Sequence, residues 1–263
     1  MSRLITRRAA LVGSVGAGGL MLAGCDRLSA QDSSFRHVLD AAEGWTRASQ
    51  RLLEKPDQLA PEYKASQLSA HFYANGTTMP EGDDYAQHTD NQFADWRLVI
   101  DGLVRRPLSL SVAQLRALPS RTQITRHDCV EGWSAIGQWK GVQLGLLLRA
   151  AGVLPQARYT VLHCADNLDG EPGKGGQQSA GQYYESHALV DSFHPQTLIA
   201  YDMNGRPLDV AHGAPLRLRL ERQLGYKQAK YVQRIQLVDS LHGLHGGQGG
   251  YWEDRGYEWY AGI

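Results

Sequence analysis

The sequence contains little cysteine and has no excess of charge of either sign. Its 263 residues include 27 Lys and Arg against 27 Asp and Glu, so the charge balance gives no indication of a nucleic-acid partner. Besides Cys25 near the N-terminus, the chain has two cysteines, Cys129 and Cys164. One possible pair is far from the framework of a disulfide-stapled domain. The chain also lacks a CxxCH motif, which excludes a c-type haem attached in this way.

An apolar run long enough to span a bilayer is also missing near the N-terminus. Residues 9–23 are apolar or glycine-rich and carry no charge, a length that fits the apolar region of a signal peptide. Arg7 and Arg8 precede this region as a twin-arginine pair, and a Leu-Ala-Gly-Cys cleavage box ends it at Cys25. We therefore predict that residues 1–25 are a twin-arginine lipoprotein signal. The lipidated cysteine would then anchor the mature chain on the periplasmic side of the membrane.

The remaining sequence indicates a tether and one mixed domain. Residues 26–68 are interpreted as a polar tether with an amphipathic helix, and residues 69–263 as the domain itself. Ser111 begins a capping box before a short helix, and residues 144–152 form a helix that ends at a C′ glycine. The Asn-Gly pair at 204–205 predicts a hairpin. These elements indicate an α+β fold, mixed and rich in strands.

Two further patterns lie in the C-terminal half. Residues 216–221 alternate between leucine and charged residues, which predicts a half-buried strand with Arg217 and Arg219 on its solvent side. From Gly243 onward the sequence is rich in glycine and aromatic residues. This composition is more typical of a loop that wraps around the body of the domain than of a helix.

Cys129 lies in the segment that carries the most chemical information, Arg-His-Asp-Cys-Val-Glu-Gly-Trp-Ser at residues 126–134. The pattern places the thiol at the end of a strand, beside a cation, an imidazole and a turn glycine. Such surroundings lower a thiol pKa and favour a ligand or a nucleophile. The negative charges of Asp128 and Glu131 act in the opposite direction and raise a thiol pKa. Charge alone therefore does not separate a reactive cysteine from a small buried hydrophobic residue.

This segment resembles the molybdenum site of the sulfite oxidase superfamily. It is closest to the branch of periplasmic protein-methionine-sulfoxide reductase catalytic subunits, and the likeness covers roughly residues 70–240. In that family the cysteine of this motif is the only protein ligand of molybdenum. The resemblance thus implies a sulfite-oxidase-type fold in which Cys129 holds one molybdenum ion bound to molybdopterin. A soft thiolate suits a metal that is already held by dithiolene sulfurs.

The resemblance recurs at the segments that touch the pterin in that family. The loop at Tyr73 matches one of them, although Ala70 and His71 replace the family's asparagines. Cys164 stands where the branch has a threonine near the cofactor, and His212 stands in place of an asparagine. The cofactor-binding residues that the resemblance implies are Tyr73, Ala74, Cys129, Cys164, His212, Arg217, Gln228, Ala229 and Lys230.

The last four of these residues would hold the terminal phosphate of the pterin. Arg217 offers a planar, permanently charged fork, and Lys230 adds a point charge. Gly225 and Ala229 are small, so backbone N–H groups could approach the phosphate closely. The competing interpretation of the two cations is a solvated strand face.

Other interpretations compete with this site. His242 and His245 form an HxxH pair, but no third ligand has convincing spacing for zinc. Residues 170–176 resemble a phosphate loop only in glycine content, and a flexible or substrate-facing loop is the preferred interpretation. Cys129 with His127 could form a cysteine hydrolase, although no third, orienting group is apparent. The alternative from a different class is a non-catalytic lipoprotein binding module that retains the fold.

The resemblance implies an oxidoreductase that transfers an oxygen atom at molybdenum. The substrate would be a small S- or N-containing compound or an oxidised protein side chain. Because the chain has no CxxCH motif, electrons would pass through a separate partner, a cytochrome or a membrane haem subunit. The departures at Ala70, Cys164 and His212 leave substrate and direction open. Little sequence follows Val238, so we expect no dimerisation domain of the kind found in larger sulfite oxidases, and a monomer.

Overall fold

The computed structural model describes residues 45, 57–169 and 181–263. The predicted signal, the polar tether and the glycine-rich stretch at 170–176 lie outside the described residues. Most of the predicted N-terminal helix also lies outside them. Residues from Pro56 onward form one compact unit, which contains the site. Residues 57–68 run along this unit, since Tyr63 N donates to Ile124 O at 2.8 Å. No helix within the described ranges is long and apolar enough to cross a membrane.

Strands dominate the secondary structure of the described residues. The strands are β1 (Arg97–Gly102), β2 (Leu108–Ser111), β3 (Ser120–Asp128), β4 (Ser134–Gln143), β5 (Tyr159–Asn167), β6 (Gln182–Ala188), β7 (Leu198–Met203), β8 (Arg206–Pro207), β9 (Arg217–Arg219) and β10 (Val232–Val238). The α-helices are α1 (Asp83–Asp90), α2 (Val112–Ala117), α3 (Leu144–Ala151) and α4 (Leu189–Ser192). Short 3₁₀-helices cover Ala65–Gln67, Gly225–Lys227 and Glu253–Arg255.

The local patterns named in the sequence begin and end these elements. Ser111 caps α2 with its side chain, which accepts from Gln114 N at 3.1 Å, and the glutamine side chain completes the capping box. Gly152 ends α3 in the left-handed region, with φ of 73°. Asn204 and Gly205 both have positive φ in the two-residue turn between β7 and β8. These three predictions are confirmed.

Two five-stranded sheets form the body of the domain. The first has the order β2-β1-β10-β5-β6, with β1 and β10 parallel and the other pairs antiparallel. The second has the order β3-β4-β7-β8, with β9 also paired to β7, and is antiparallel throughout. One apolar core contains side chains from both sheets and from α3. The predicted α+β class, mixed and rich in strands, is confirmed.

The short strand β9 differs from its prediction. Arg217 and Arg219 are 2% and 0% exposed, so the predicted solvent side of the strand is buried. Both guanidinium groups lie over the ring of Trp139, at 4.9 and 4.2 Å from its centroid. Arg219 also pairs with Glu221 through two hydrogen bonds. The alternating pattern alone predicts that these two cations face water. Stacking on Trp139 and, for Arg219, pairing with Glu221 offset the cost of removing them from it.

A buried ion cluster fastens the C-terminal segment to the body. Lys227 Nζ donates to Glu185 on β6 at 2.5 Å and to Glu253 in the last 3₁₀-helix. All three side chains are almost completely excluded from solvent. Burial, followed by the charge of Glu253, raises the pKa of Glu185 well above its ordinary value. One cation therefore holds two carboxylates together in a medium of low dielectric constant.

Replacing Lys227 with methionine should therefore destabilise the protein. The change leaves two buried carboxylates without their cation, which typically costs about 3–5 kcal/mol. We expect the free energy of unfolding, measured by urea denaturation with circular dichroism, to fall by that amount. Lys140→Met, at an exposed position of β4, is the matched control and should change it by less than about 0.5 kcal/mol. A loss below about 1 kcal/mol at Lys227 would contradict the role of the cluster.

Candidate active site

Cys129 occupies the turn that joins β3 to β4. The two strands pair as far as Asp128 and Ser134, and Cys129 N donates to Trp133 O at 2.9 Å across the turn. Gly132 N donates back to Cys129 O at 3.0 Å, and Gly132 itself has φ of 91°, which favours glycine. The ladder therefore holds the thiol in the turn at the end of β3, and the predicted position at the end of a strand is confirmed. The Sγ atom also accepts from Asn75 Nδ2 at 3.8 Å.

The surroundings of Cys129 do not activate it as a free nucleophile. Burial, with a further contribution from Glu131, raises the pKa of the thiol. His127 is completely buried, and burial followed by the charge of Arg219 lowers its pKa well below the ordinary value, so the ring is neutral. Arg219 Nη1 donates to His127 Nδ1 at 3.0 Å, which leaves the imidazole proton on Nε2. The imidazole therefore has no free acceptor with which to act as a base, which weighs against the hydrolase interpretation.

A cavity opens beside Cys129 and encloses about 810 Å³, including solvent at its mouth. Five predicted site residues come together in its lining, which are Cys129, Arg217, Gln228, Ala229 and Lys230. They arrive from the β3–β4 turn, from β9 and from the segment between the 3₁₀-helix at Gly225–Lys227 and β10. The cavity thus joins the predicted metal ligand, Cys129, to two cations.

Arg217 and Lys230 give the cavity its electrostatic character. Burial, followed by repulsion from Arg219, lowers the pKa of Arg217 to about 9. Burial and then repulsion from Arg217 lower the pKa of Lys230 to about 8. Arg217 Nη1 donates to His212 O at 3.1 Å, while its Nε meets no hydrogen-bond partner among the described residues. A buried guanidinium with an unused donor fits an anionic group such as a phosphate.

Lys230 contacts the protein differently from the prediction. Its ammonium group donates to Asn75 O at 2.7 Å, to Ala211 O at 3.0 Å and to Thr77 O. All three donors of this lysine therefore reach backbone carbonyls on two segments beside the cavity. Its positive charge still faces the lining, but the side chain also fixes the loop that brings Asn75 to Cys129.

Gly225 lets residues 225–230, the segment predicted to hold the phosphate, approach the hairpin that carries Cys129. A Cβ atom at this position would lie 2.5 Å from His127 Nε2 and 3.3 Å from Asp128 O. No side chain fits such a gap without displacing one of the two segments. The close approach of backbone, the two cations and the sulfur ligand together suit a cofactor that is anionic at one end and binds a metal at the other.

Four predicted residues lie outside this lining. Tyr73 is 54% exposed and packs against Trp133 at 5.4 Å, and Ala74 is its neighbour. Cys164 is a buried thiol of the main core on β5, where burial raises its pKa well above the ordinary value. The ring of His212 lies 2.7 Å from Asp209 Oδ1 and 3.1 Å from Phe72 O, and the residue contacts the lining through its carbonyl, which accepts from Arg217. Their roles at a cofactor remain predictions.

Other lining residues were not predicted from the sequence. They include Asn75, Asp166, Tyr226, Trp252 and Tyr257. The Asn-Gly pair at 75–76 indicates only a turn, and Trp252 and Tyr257 belong to the aromatic tail that begins at Gly243. The tail does wrap the body as a loop, with one 3₁₀-turn at Glu253–Arg255. Its aromatic content was the pattern that could have indicated a cavity wall, but nothing in local spacing connects it with Cys129.

Residues 85–243 match the family described as oxidoreductase molybdopterin binding domain. The match covers more than half of the chain, so the chain belongs to this family of oxidoreductases. The cofactor is accordingly molybdenum held by molybdopterin, as the resemblance implied. The geometry described above is consistent with such a cofactor.

Among similar proteins, one from Azospira oryzae is provisionally named subunit YedZ1 of a protein-methionine-sulfoxide reductase. It is 37% identical over 98% of this chain and 88% of its own length. Two protein-methionine-sulfoxide reductase catalytic subunits MsrP, from Gluconobacter oxydans and Xanthomonas axonopodis, are 36% and 30% identical over 64% and 65% of this chain. The chain spans about half of their length, 54% and 53%.

A solved structure also resembles the chain. It is the sulfane dehydrogenase SoxCD from Paracoccus pantotrophus, with a TM-score of 0.48 and 25% sequence identity. The alignment covers 56% of this chain and 39% of that one.

Cys129→Ser should abolish most molybdenum-dependent turnover while the fold persists. A serine oxygen is a harder and weaker ligand for this centre. Removing a residue that hydrogen-bonds to a metal ligand typically costs about 10–100-fold in metal affinity or activity. We therefore expect activity to fall by more than about 100-fold when the ligand itself is replaced. Activity and molybdenum content are measured together, and Thr122→Ser on the exposed side of β3 is the control. Unchanged kinetics in the Cys129 variant would rule it out as the ligand.

Proposed function

We propose that this protein reduces methionine sulfoxide side chains in oxidised proteins. The observation that carries the proposal is the cavity that joins Cys129 to Arg217 and Lys230 in a chain of the molybdopterin oxidoreductase family. The names of the similar proteins from Azospira and Gluconobacter support the same substrate class. No feature of the described residues favours a non-catalytic binding module.

The chain's own residues would hold the cofactor at both ends. Cys129 would supply a thiolate to the metal, and Asn75 would donate a hydrogen bond to that sulfur. Arg217 would direct its guanidinium group to the phosphate, with Lys230 adding positive charge. When bound, the molybdenum supplies a two-electron centre that can accept an oxygen atom. In the overall reaction the S=O bond breaks, two electrons and two protons convert the oxygen to water, and a thioether is released.

The charges that line the cavity favour a neutral substrate. Its cations are Arg217 and Lys230, and a phosphate would neutralise both. The acidic side chains that remain are Glu131 and Asp166, and burial raises the pKa of Asp166 to about 7. With these two cations occupied, the described residues of the lining offer no further positive charge to an anion such as sulfite. A sulfoxide is neutral and polar and meets no such repulsion.

Electrons for the reaction would come from a partner protein. We propose a haem-containing subunit in the membrane, because the similar proteins are named as subunits of a reductase. Lipidated Cys25 would keep the enzyme beside that partner on the periplasmic side. The enzyme itself would be a monomer.

The proposal is tested with protein made in a host that produces molybdopterin. We expect stoichiometric molybdenum and, with a reduced viologen dye as electron donor, conversion of methionine sulfoxide to methionine in an oxidised test protein, detected by mass spectrometry. Arg217→Leu should retain roughly one-tenth or less of the cofactor affinity, because a charged hydrogen bond is lost. Arg97→Leu on the exposed start of β1 is the matched control. Fully loaded protein that reduces no sulfoxide would overturn the proposed substrate.

Export should depend on Arg7 and Arg8, because a bulky cofactor is inserted before the chain crosses the membrane and a folded cargo needs the twin-arginine route. We expect Arg7→Lys with Arg8→Lys to leave loaded protein in the cytoplasm. Cys25→Ala should permit export but prevent lipidation. Cell fractionation with lipid labelling measures both. Arrival of the double-lysine variant outside, loaded and lipidated, would contradict the proposed route.

A further inference from the structure

We propose that Trp252 and Tyr257, with Tyr226, form the wall of the cavity that recognises the methyl thioether end of a methionine sulfoxide side chain. The inference rests on the proposed function and assigns residues to its substrate. All three aromatic residues line the cavity that contains Cys129. The rings of Trp252 and Tyr257 lie 5.2 Å apart, and those of Tyr226 and Tyr257 lie 5.3 Å apart in an edge-on arrangement. They therefore form one contiguous aromatic surface, defined here as the aromatic wall.

The aromatic wall lies close to the predicted metal ligand. Tyr226 follows Gly225, whose backbone packs against the carbonyl of Asp128, the residue before Cys129. The Tyr226 carbonyl accepts a hydrogen bond from Tyr183, another residue of the lining. A substrate that reaches the cysteine end of the cavity would therefore lie beside these rings.

The protein fixes the aromatic wall from both sides. Lys227, next to Tyr226, binds Glu253, next to Trp252, in the buried ion cluster. Tyr226 Oη donates to Glu258 O at 2.6 Å, and Tyr257 N donates to Trp252 O at 3.0 Å. These hydrogen bonds set the positions of the rings through backbone atoms and through the Tyr226 hydroxyl. The rings are thus prepared for a ligand, which lowers the cost of ordering them on binding.

The chemistry of the aromatic wall suits a sulfoxide with a methyl group. Aromatic faces carry partial negative charge, and they attract both polarisable sulfur and the positively polarised methyl hydrogens beside an S=O group. The same faces repel an anion. Binding the methyl and sulfur against the rings would leave the sulfoxide oxygen free to face the cysteine end of the cavity. Trp252, Tyr257 and Tyr226 are therefore assigned to substrate specificity rather than to holding the cofactor.

The test separates ring contact from general damage to the protein. Trp252→Leu and Tyr257→Leu, singly and together, remove the rings, whereas Trp252→Phe and Tyr257→Phe keep them. Tyr159→Leu removes an aromatic residue that packs on Trp259 instead of the cavity, and it is the control. Tyr257 is 40% exposed, so its single substitution leaves the core intact even if the double variant fails to fold. Molybdenum content and the Mo(V) electron paramagnetic resonance spectrum are recorded for each variant.

For the double leucine variant we expect about a tenfold rise in KM for a peptide that contains methionine sulfoxide. The loss of sulfur–aromatic contacts accounts for a factor of about this size. The kcat, the molybdenum content and the spectrum should stay unchanged, and the phenylalanine variants should keep the wild-type KM. A non-reducible methionine sulfone peptide should show the same tenfold loss of affinity by calorimetry. An unchanged KM in the leucine variants, or an equal loss with phenylalanine, would overturn the assignment. Wild-type protein that reduces no sulfoxide would instead overturn the proposed function.

Discussion

The arrangement of charge around Trp139 is the constraint on which the site depends. Arg217 and Arg219 project from one short strand and stack on the same indole ring. Arg219 is neutralised by Glu221 and is also bonded to His127, so its charge is satisfied inside the protein. Arg217 has no carboxylate bonded to it in the described part of the chain. The fold thus buries one cation with a partner and leaves the next for a ligand, because an unpaired buried charge is tolerated only where an anion will meet it.

This constraint links the cofactor to the stability of the whole domain. The strand that carries Arg217 pairs with β7, and its segment continues into the turn that contacts the cysteine hairpin. A ligand that binds only the folded chain stabilises it by mass action, and the gain grows with ligand concentration relative to Kd. In the proposed site, a phosphate that neutralised Arg217 would add to that gain, since burial and repulsion from Arg219 have already lowered the pKa of this residue. In the proposed site, the cofactor would act both as a reagent and as part of the structure.

The elements that could be predicted from the sequence are those set by neighbouring residues. The cap at Ser111, the helix end at Gly152 and the Asn-Gly hairpin depend on three or four consecutive residues, and all three are present. The burial of Arg217 and Arg219 could not be predicted from their alternating pattern, because it depends on Trp139, which lies on another strand. A period of two residues identifies a strand, but it does not say whether the second face meets solvent or an aromatic ring.

The lining of the cavity was likewise predicted only in part from the sequence. The cysteine hairpin and the two cations were predicted because they lie in short motifs that resemble a known family. Asn75 and the aromatic wall were not, because they reach the cavity from segments distant in sequence and their local patterns indicate only turns and a loop. The cluster of Lys227, Glu185 and Glu253 likewise joins three separated segments, and no spacing rule connects them.

The position of β10 has a consequence for how the protein is made. This strand lies at the centre of its sheet, parallel to β1 and between it and β5, yet it follows the nine other strands of the described residues. The ribosome therefore synthesises those nine strands before the one that joins the two halves of the first sheet. Contacts between residues so far apart form late, because the loop that they close is long. The segment at 225–230 directly precedes β10, and Trp252 and Tyr257 follow it, so the cavity is completed only after the sheet has received this central strand.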